Sequence, residues 1–146
     1  FMGNNYGTRF PLSEARAEMV EAMRREFGPD FAVYGKGWGN SRRVHPDEEA
    51  AIYRGAKVAI NFDHYDRPGF FSDRYLRSRA CGCLTLNATT HSFAQIIADA
   101  TYWMRSEYRR PTAEKEAAET YANDRWHNRI DTLEQWATTA RPTNTK

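Results

Sequence analysis

Residues 57–86, KVAINFDHYDRPGFFSDRYLRSRACGCLTL, decide the fold of this 146-residue chain. The apolar run Lys57–Phe62 predicts a buried strand, and the run Cys83–Leu86 predicts a second one. Between them, Ser72 suits the cap position of a helix that extends to about Cys81. A strand, a helix and a strand in this order predict two parallel neighbours in a sheet that is covered by helices.

The same alternation continues upstream of this unit. A helix is predicted over Glu14–Phe27 with Ser13 as its cap, because apolar residues recur at helical spacing. A short apolar run, Phe31–Tyr34, predicts a further buried strand. The next helix should have Pro46 in its first turn and end at Gly55.

Downstream of Ser92 the pattern is helical, and Pro111 is predicted to separate one helix from the next. The last helix should carry an apolar face formed by Trp126, Ile130, Leu133 and Ala137. We therefore expect an α/β fold, a Rossmann-like open parallel sheet with helices on both faces, followed by a closing helical segment over residues 92–140.

The composition limits which partners, locations and metal sites can be expected. The 21 Lys and Arg residues nearly balance 19 Asp and Glu residues, so the net charge of +2 gives no reason to expect nucleic acid as a partner. No apolar run is long enough to span a bilayer and no leader opens the chain, so a soluble, intracellular (cytoplasmic) protein is expected. Cys81 and Cys83 are predicted to be small buried hydrophobic residues. The four histidines share no metal-binding spacing, so no metal site is predicted.

In an open parallel sheet, ligands bind beyond the carboxyl ends of the strands. Three loops follow predicted strands in this way, and two of them contain glycines that allow a ligand to approach the backbone. The third loop leads into a helix start, where free amides attract anions. The candidate binding residues in the two glycine loops are Gly3, Asn4, Gly35 and Lys36.

Positive charge surrounds the same edge at Arg9, Lys36, Arg74 and Arg77. This pattern indicates a ligand that carries phosphate. For Arg77 an alternative stays open, because Asp73 lies four residues before it and that spacing favours an ordinary ion pair on a helix surface.

Five segments resemble, in order over residues 1–87, the carboxyl-terminal half of two-domain (GT-B) glycosyltransferases. More narrowly, the chain resembles the branch of the group-1 superfamily that includes spore-maturation-type proteins. The segments are Phe1–Tyr6, Val33–Trp38, Ile52–Asn61, Ser72–Arg74 and Ala80–Gly82. Because the chain opens on what reads as the end of a buried strand, we expect it to be part of a longer protein.

The resemblance implies a domain, here residues 1–146, that binds a nucleoside diphosphate sugar as donor, without a metal or other cofactor. A separate amino-terminal domain would bind the acceptor. By the same resemblance, the amides of Ser72, Asp73 and Arg74 hold the diphosphate, and Arg9 is a further phosphate contact. Val44 and His45 would line the base. No catalytic residue is predicted.

Arg77 departs from the pattern of many relatives, which have a glutamate at that position to bind the ribose hydroxyls. A guanidinium cannot accept a hydrogen bond, so the usual ribose contact is in question here. His64 lies in a loop after a predicted strand, and it either contacts a sugar or phosphate or is solvated.

Two other classes of function are considered. A flavodoxin-like or receiver-like regulatory module would need, as a receiver, an acidic pair after its first strand, and residues 3–7 contain none. A nucleic-acid-binding module would use the basic and aromatic residues of Arg105–Arg110, within a segment from Tyr102 to Arg110 in which aromatic and basic residues are interleaved. Packing of Trp103 under a basic helix end is the competing explanation for that segment.

Overall fold

A computed structural model of the chain describes residues 1–39, 41–67, 70, 72–89 and 92–123. Two strands, β1 (Val58–Asn61) and β2 (Leu84–Asn87), pair in parallel with Val58 opposite Leu84. The architecture is the Rossmann-like α/β fold that the sequence predicts. Its helices are α1 (Ser13–Phe27), α2 (Pro46–Gly55), α3 (Asp73–Ala80), α4 (Phe93–Arg105) and α5 (Arg109–Asn123).

Helices cover both faces of the β1–β2 pair. Successive strand residues point to opposite sides, so each strand packs against helices on both faces. Ile60, and Phe62 two residues later, pack into a core formed with α1 and α4, in which Met19 is fully buried. Ala59 points to the other face and packs with Tyr53 of α2. These contacts confirm the prediction that the strands are buried on both sides.

An extended segment at residues 1–5 runs parallel to residues 32–36. The backbone amide of Tyr34 donates to Phe1, and the amide of Gly3 donates to Tyr34. Tyr34 also forms a parallel bridge with Arg42. The predicted buried strand over Phe31–Tyr34 is nevertheless wrong in extent and burial: only Tyr34 forms bridges, and Ala32 is exposed.

Two predicted helix boundaries are also wrong. Ser13 does not cap α1 but is its first residue, and its hydroxyl accepts a hydrogen bond from the amide of Phe10 at 3.1 Å. The break between α4 and α5 comes before Pro111, which lies in the first turn of α5. A proline is tolerated there because the first amides of a helix have no partner within the helix.

The remaining sequence predictions have mixed outcomes. Cys83 is buried as expected, whereas Cys81 is only half-buried. The apolar face of the last helix at residues 126–137 lies outside the described residues. In the segment Tyr102–Arg110, Trp103 is half-buried and Arg109 donates to the carbonyl of Met104 at 3.2 Å, which agrees with packing near a basic helix end.

A network of buried polar side chains joins the carboxyl ends of both strands to the start of α3. The Asp63 carboxylate, 1% exposed, accepts from the Ser72 amide at 2.8 Å and from the Asn61 side-chain amide at 3.1 Å. The Ser72 hydroxyl donates to Asn61 at 2.7 Å. Thr89, after β2, donates to the second carboxylate oxygen of Asp63 at 3.3 Å. Asp63 therefore fixes the amino end of α3 over the sheet edge.

Two glycine loops touch each other at the same edge. A Cβ atom at Gly35 would overlap the carbonyl group of Gly3, and a Cβ at Gly37 would lie 2.8 Å from the carbonyl oxygen of Asn5. Gly35 and Gly37 also have positive φ angles, which disfavour any other residue. The contact between the loops thus requires glycine for two independent reasons.

Replacing Asp63 with Ala is expected to lower the free energy of unfolding by about 2–4 kcal/mol, because the Ser72 and Asn61 amides lose their acceptor in a buried site. Urea denaturation followed by circular dichroism measures this change. The matched control is Asp66→Ala, an exposed carboxylate in the same loop, with an expected change within about 0.5 kcal/mol. Equal effects of the two variants would contradict the anchoring role of Asp63.

Replacing Gly35 with Ala should destabilise the fold more than replacing Gly39 with Ala. Both positions have positive φ, which costs about 1–2 kcal/mol for alanine, but only Gly35 faces a neighbouring backbone. The overlap with Gly3 should add about 1–3 kcal/mol. Thermal unfolding of the two variants gives the difference, and a Gly39→Ala loss as large as that of Gly35→Ala would refute the close approach of the loops.

Candidate functional site

The structure brings four of the predicted binding residues together in the two glycine loops. The side-chain oxygen of Asn4 accepts from the Lys36 amide at 2.9 Å, and Gly3 and Gly35 are in backbone contact. The indole nitrogen of the buried Trp38 donates to the carbonyl oxygen of Gly3 at 2.6 Å. These bonds hold the loops as one surface at the carboxyl ends of the strands.

Two arginines converge on Gly3. The space that a side chain at Gly3 would occupy is filled by the guanidinium of Arg16, whose Nη2 atom lies there. The guanidinium carbon of Arg74 lies 3.5 Å from the same point. Arg74 was expected at this edge. It is half-buried, and no hydrogen bond or ion pair joins its guanidinium to another residue in the described part of the chain.

Arg16 projects from α1 and is 2% exposed. Its Nη1 atom donates to Nε2 of His64 at 2.8 Å, and its guanidinium lies 4.9 Å from the centre of the Phe1 ring. The Nε and Nη2 atoms are buried and have no partner among the described residues. Burial, followed by repulsion from Arg74, lowers the pKa of Arg16 to about 10, so the group is still charged at neutral pH.

His64 is half-buried and contacts Arg16, so its environment is not that of a solvated loop residue. Burial and the charges of Arg16 and Arg74 lower the His64 pKa to about 4, which makes the ring neutral at pH 7. Its ring packs 4.4 Å from that of Phe10, and the guanidinium of the exposed Arg9 lies 5.7 Å from the Phe10 ring. Arg9 is therefore at the rim of this cluster.

The start of α3 is the third part of the site. Ser72 occupies the cap position, as predicted, but its hydroxyl donates to Asn61 instead of accepting from the helix. Its amide donates to the Asp63 carboxylate, so the prediction that this amide holds a diphosphate is wrong. Arg77 forms ion pairs with Asp73 and, at 2.7 Å, with Glu49 of α2. The ion-pair alternative for Arg77 is thus present, with a second carboxylate that the sequence did not suggest.

Val44 and His45 lie just before α2. His45 is the cap residue, and its Nδ1 atom accepts from the Asp47 amide at 3.4 Å while Glu48 binds the His45 amide. The His45 side chain is 70% exposed. Helix α2 is joined to α3 through the Glu49–Arg77 ion pair.

A cavity lies away from the arginines at Gly3. It has a volume of about 520 Å³ and is lined mainly by apolar residues near the amino ends of the strands, including Phe31, Lys57 and Ile60. The arginines at Gly3 are not part of its lining. Within the described residues, no group of three or more histidines, cysteines and carboxylates is arranged to hold a metal ion, and no helix there has the length and apolarity to cross a membrane.

Two residues of the site were not identified from the sequence. Arg16 precedes Met19, Val20 and Met23 by three, four and seven residues, so the helical spacing that predicts the buried face of α1 also includes an arginine. That spacing was the available signal. Asp63 directly follows a buried strand, which is a common place for a functional polar residue, but nothing in the sequence pairs it with Ser72.

Comparison with known proteins assigns the family. A family model described as glycosyl transferase-like matches residues 16–100, which is more than half of the chain and extends from α1 into α4. No curated protein and no solved structure matches the chain. The match supports a transferase and does not favour a receiver-like or flavodoxin-like module. The chain, with its arginines gathered at the carboxyl edge of a Rossmann-like sheet, belongs to the glycosyl transferase-like family.

Proposed function

We propose that this chain is the donor-binding half of a GT-B glycosyltransferase and binds a nucleoside diphosphate sugar at the carboxyl edge of the sheet. The observation that supports it most strongly is Arg74, a half-buried cation next to Gly3 and in the first turn of α3. Its guanidinium forms no ion pair or hydrogen bond in the described part of the chain. Such a cation at a helix amino end is suited to bind phosphate.

The diphosphate would lie between the Gly3 loop and the start of α3. The partial positive charge of the helix end and the guanidinium of Arg74 would both face it. Asp63 and Asn61 hold Ser72 in place, so this end of α3 is positioned before the ligand arrives. Charge that develops on the leaving diphosphate during sugar transfer would be stabilised by donors that need no rearrangement.

The other parts of the proposal concern the rest of the ligand. Asn4, Lys36 and Arg9 would bind the donor from the glycine loops, and Val44 and His45 would line the base. Because Arg77 is paired with Asp73 and Glu49, its guanidinium would orient the two helices rather than replace a ribose contact. The acceptor would bind to an amino-terminal domain, and transfer would need no metal.

Calorimetric titration with nucleoside diphosphates of the five common bases, and with their sugar conjugates, tests the proposal. At least one is expected to bind at submillimolar concentration. Replacing Arg74 with Ala should weaken that binding about 10- to 100-fold, since a charge-assisted hydrogen bond contributes about 1.5–3 kcal/mol.

The matched control is Arg54→Ala, which removes an exposed arginine from the carboxyl end of α2. Its affinity should equal that of the unsubstituted chain. Absence of binding for the whole set at millimolar concentration would refute the proposed function, as would an Arg74→Ala variant that binds like the control.

A further inference from the structure

Arg16 is a buried cation that the described structure leaves largely unsatisfied. Of its donor atoms, Nη1 is bound to His64, while Nε and Nη2 are buried without a partner. No described carboxylate forms an ion pair with it. Its principal polar partner, His64, is neutral at pH 7 and so does not balance the charge.

Such an arrangement is costly. Buried charged groups are normally paired, because an unpaired ion loses its hydration and gains nothing in return. A guanidinium does not escape this cost by releasing its proton at neutral pH. The adjacent Arg74 adds repulsion, which outweighs the attraction of the nearby Asp63 carboxylate. No carboxylate in the described part of the chain forms an ion pair with either arginine. An anion that binds between the two guanidiniums would relieve both costs.

The geometry around Gly3 defines where such an anion would bind. Nη2 of Arg16 fills the side-chain position of Gly3, and the guanidinium carbon of Arg74 lies 3.5 Å from that position. The two arginines differ in freedom. Arg16 is held by His64 and stacked on Phe1, whereas the half-buried Arg74 guanidinium has no hydrogen-bond partner in the described part of the chain.

We propose that Arg16 is a buried phosphate ligand that acts together with Arg74, and that the two make this site select a pyrophosphoryl group over a single phosphate. One phosphate binds between the two guanidiniums above Gly3, and the second binds Arg74 and the amino end of α3. This inference rests on the proposed function for the identity of the ligand and extends it to a residue and a charge preference. The two phosphates of a pyrophosphoryl group can bind both arginines, whereas a single phosphate contacts the two guanidiniums less completely.

The test compares inorganic pyrophosphate with inorganic phosphate by calorimetry, using the full chain and the variants Arg16→Met, Arg16→Lys and Arg25→Met. Arg25 is an exposed arginine of the same helix and serves as the control. The unsubstituted chain and the control should prefer pyrophosphate at least tenfold. Arg16→Met should lose at least tenfold in pyrophosphate affinity and most of the preference. Arg16→Lys should lose at least fivefold, because an ammonium group lacks the planar fork.

Stability without ligand separates a binding role from a structural one. Arg16→Met removes an unsatisfied buried charge, so its melting temperature without anion should equal or exceed that of the unsubstituted chain. Pyrophosphate should raise the melting temperature of the unsubstituted chain and the control but not of Arg16→Met. Unchanged pyrophosphate affinity in Arg16→Met would overturn the inference. If that variant does not fold, unchanged affinity in Arg16→Lys would overturn it.

The two proposals fail differently. If nucleoside diphosphates bind and depend on Arg74 but not on Arg16, the inference is wrong and the proposed function stands. If pyrophosphate binding depends on Arg16 but no nucleoside diphosphate binds more tightly than pyrophosphate, the anion site stands and the nucleotide donor is wrong.

Discussion

The hydrogen bond from the Ser72 amide to the Asp63 carboxylate is the constraint on which the rest of the site depends. It joins Asp63, which lies two residues beyond the end of β1, to Ser72 at the cap position of α3. Asn61 and Thr89 bind the same carboxylate, so both strand ends enter the same network. The direction of α3, and with it the position of Arg74, follows from a carboxylate that is inaccessible to water. The start of α3 is therefore held in a fixed geometry against the strand ends.

Local patterns were sufficient to predict much of the fold. Apolar spacing predicts α1 and both strands, whereas α2 and α3 are predicted from the proline, serine and glycine residues at their ends. Ser13 and Phe31–Tyr34 show where such patterns fail. A serine next to a helix start can bind on either side of that start, and here its hydroxyl accepts from Phe10. A short apolar run becomes a strand only as far as a neighbouring backbone can pair with it, which depends on residues distant in sequence.

The candidate site was predictable in part for the same reason. The topology of a parallel sheet is enough to bring the glycine loops and the start of α3 to one edge. It does not determine which side chains satisfy one another across that edge. Glu49 reaches Arg77 from another helix, and Arg16 reaches Gly3 from the buried face of α1. Both contacts depend on how helices pack on the sheet, and an arginine at an apolar position of a helix usually extends its charged end to solvent instead.

The bond between Trp38 and the carbonyl of Gly3 has a practical consequence. The indole is enclosed in the core, yet its nitrogen is bonded to the residue around which the two arginines gather. A shift of the Gly3 backbone on ligand binding would alter the polarity around this ring, and indole emission responds to local polarity. In a variant that keeps Trp38 alone of the four tryptophans, its emission would report ligand binding at the candidate site without a label.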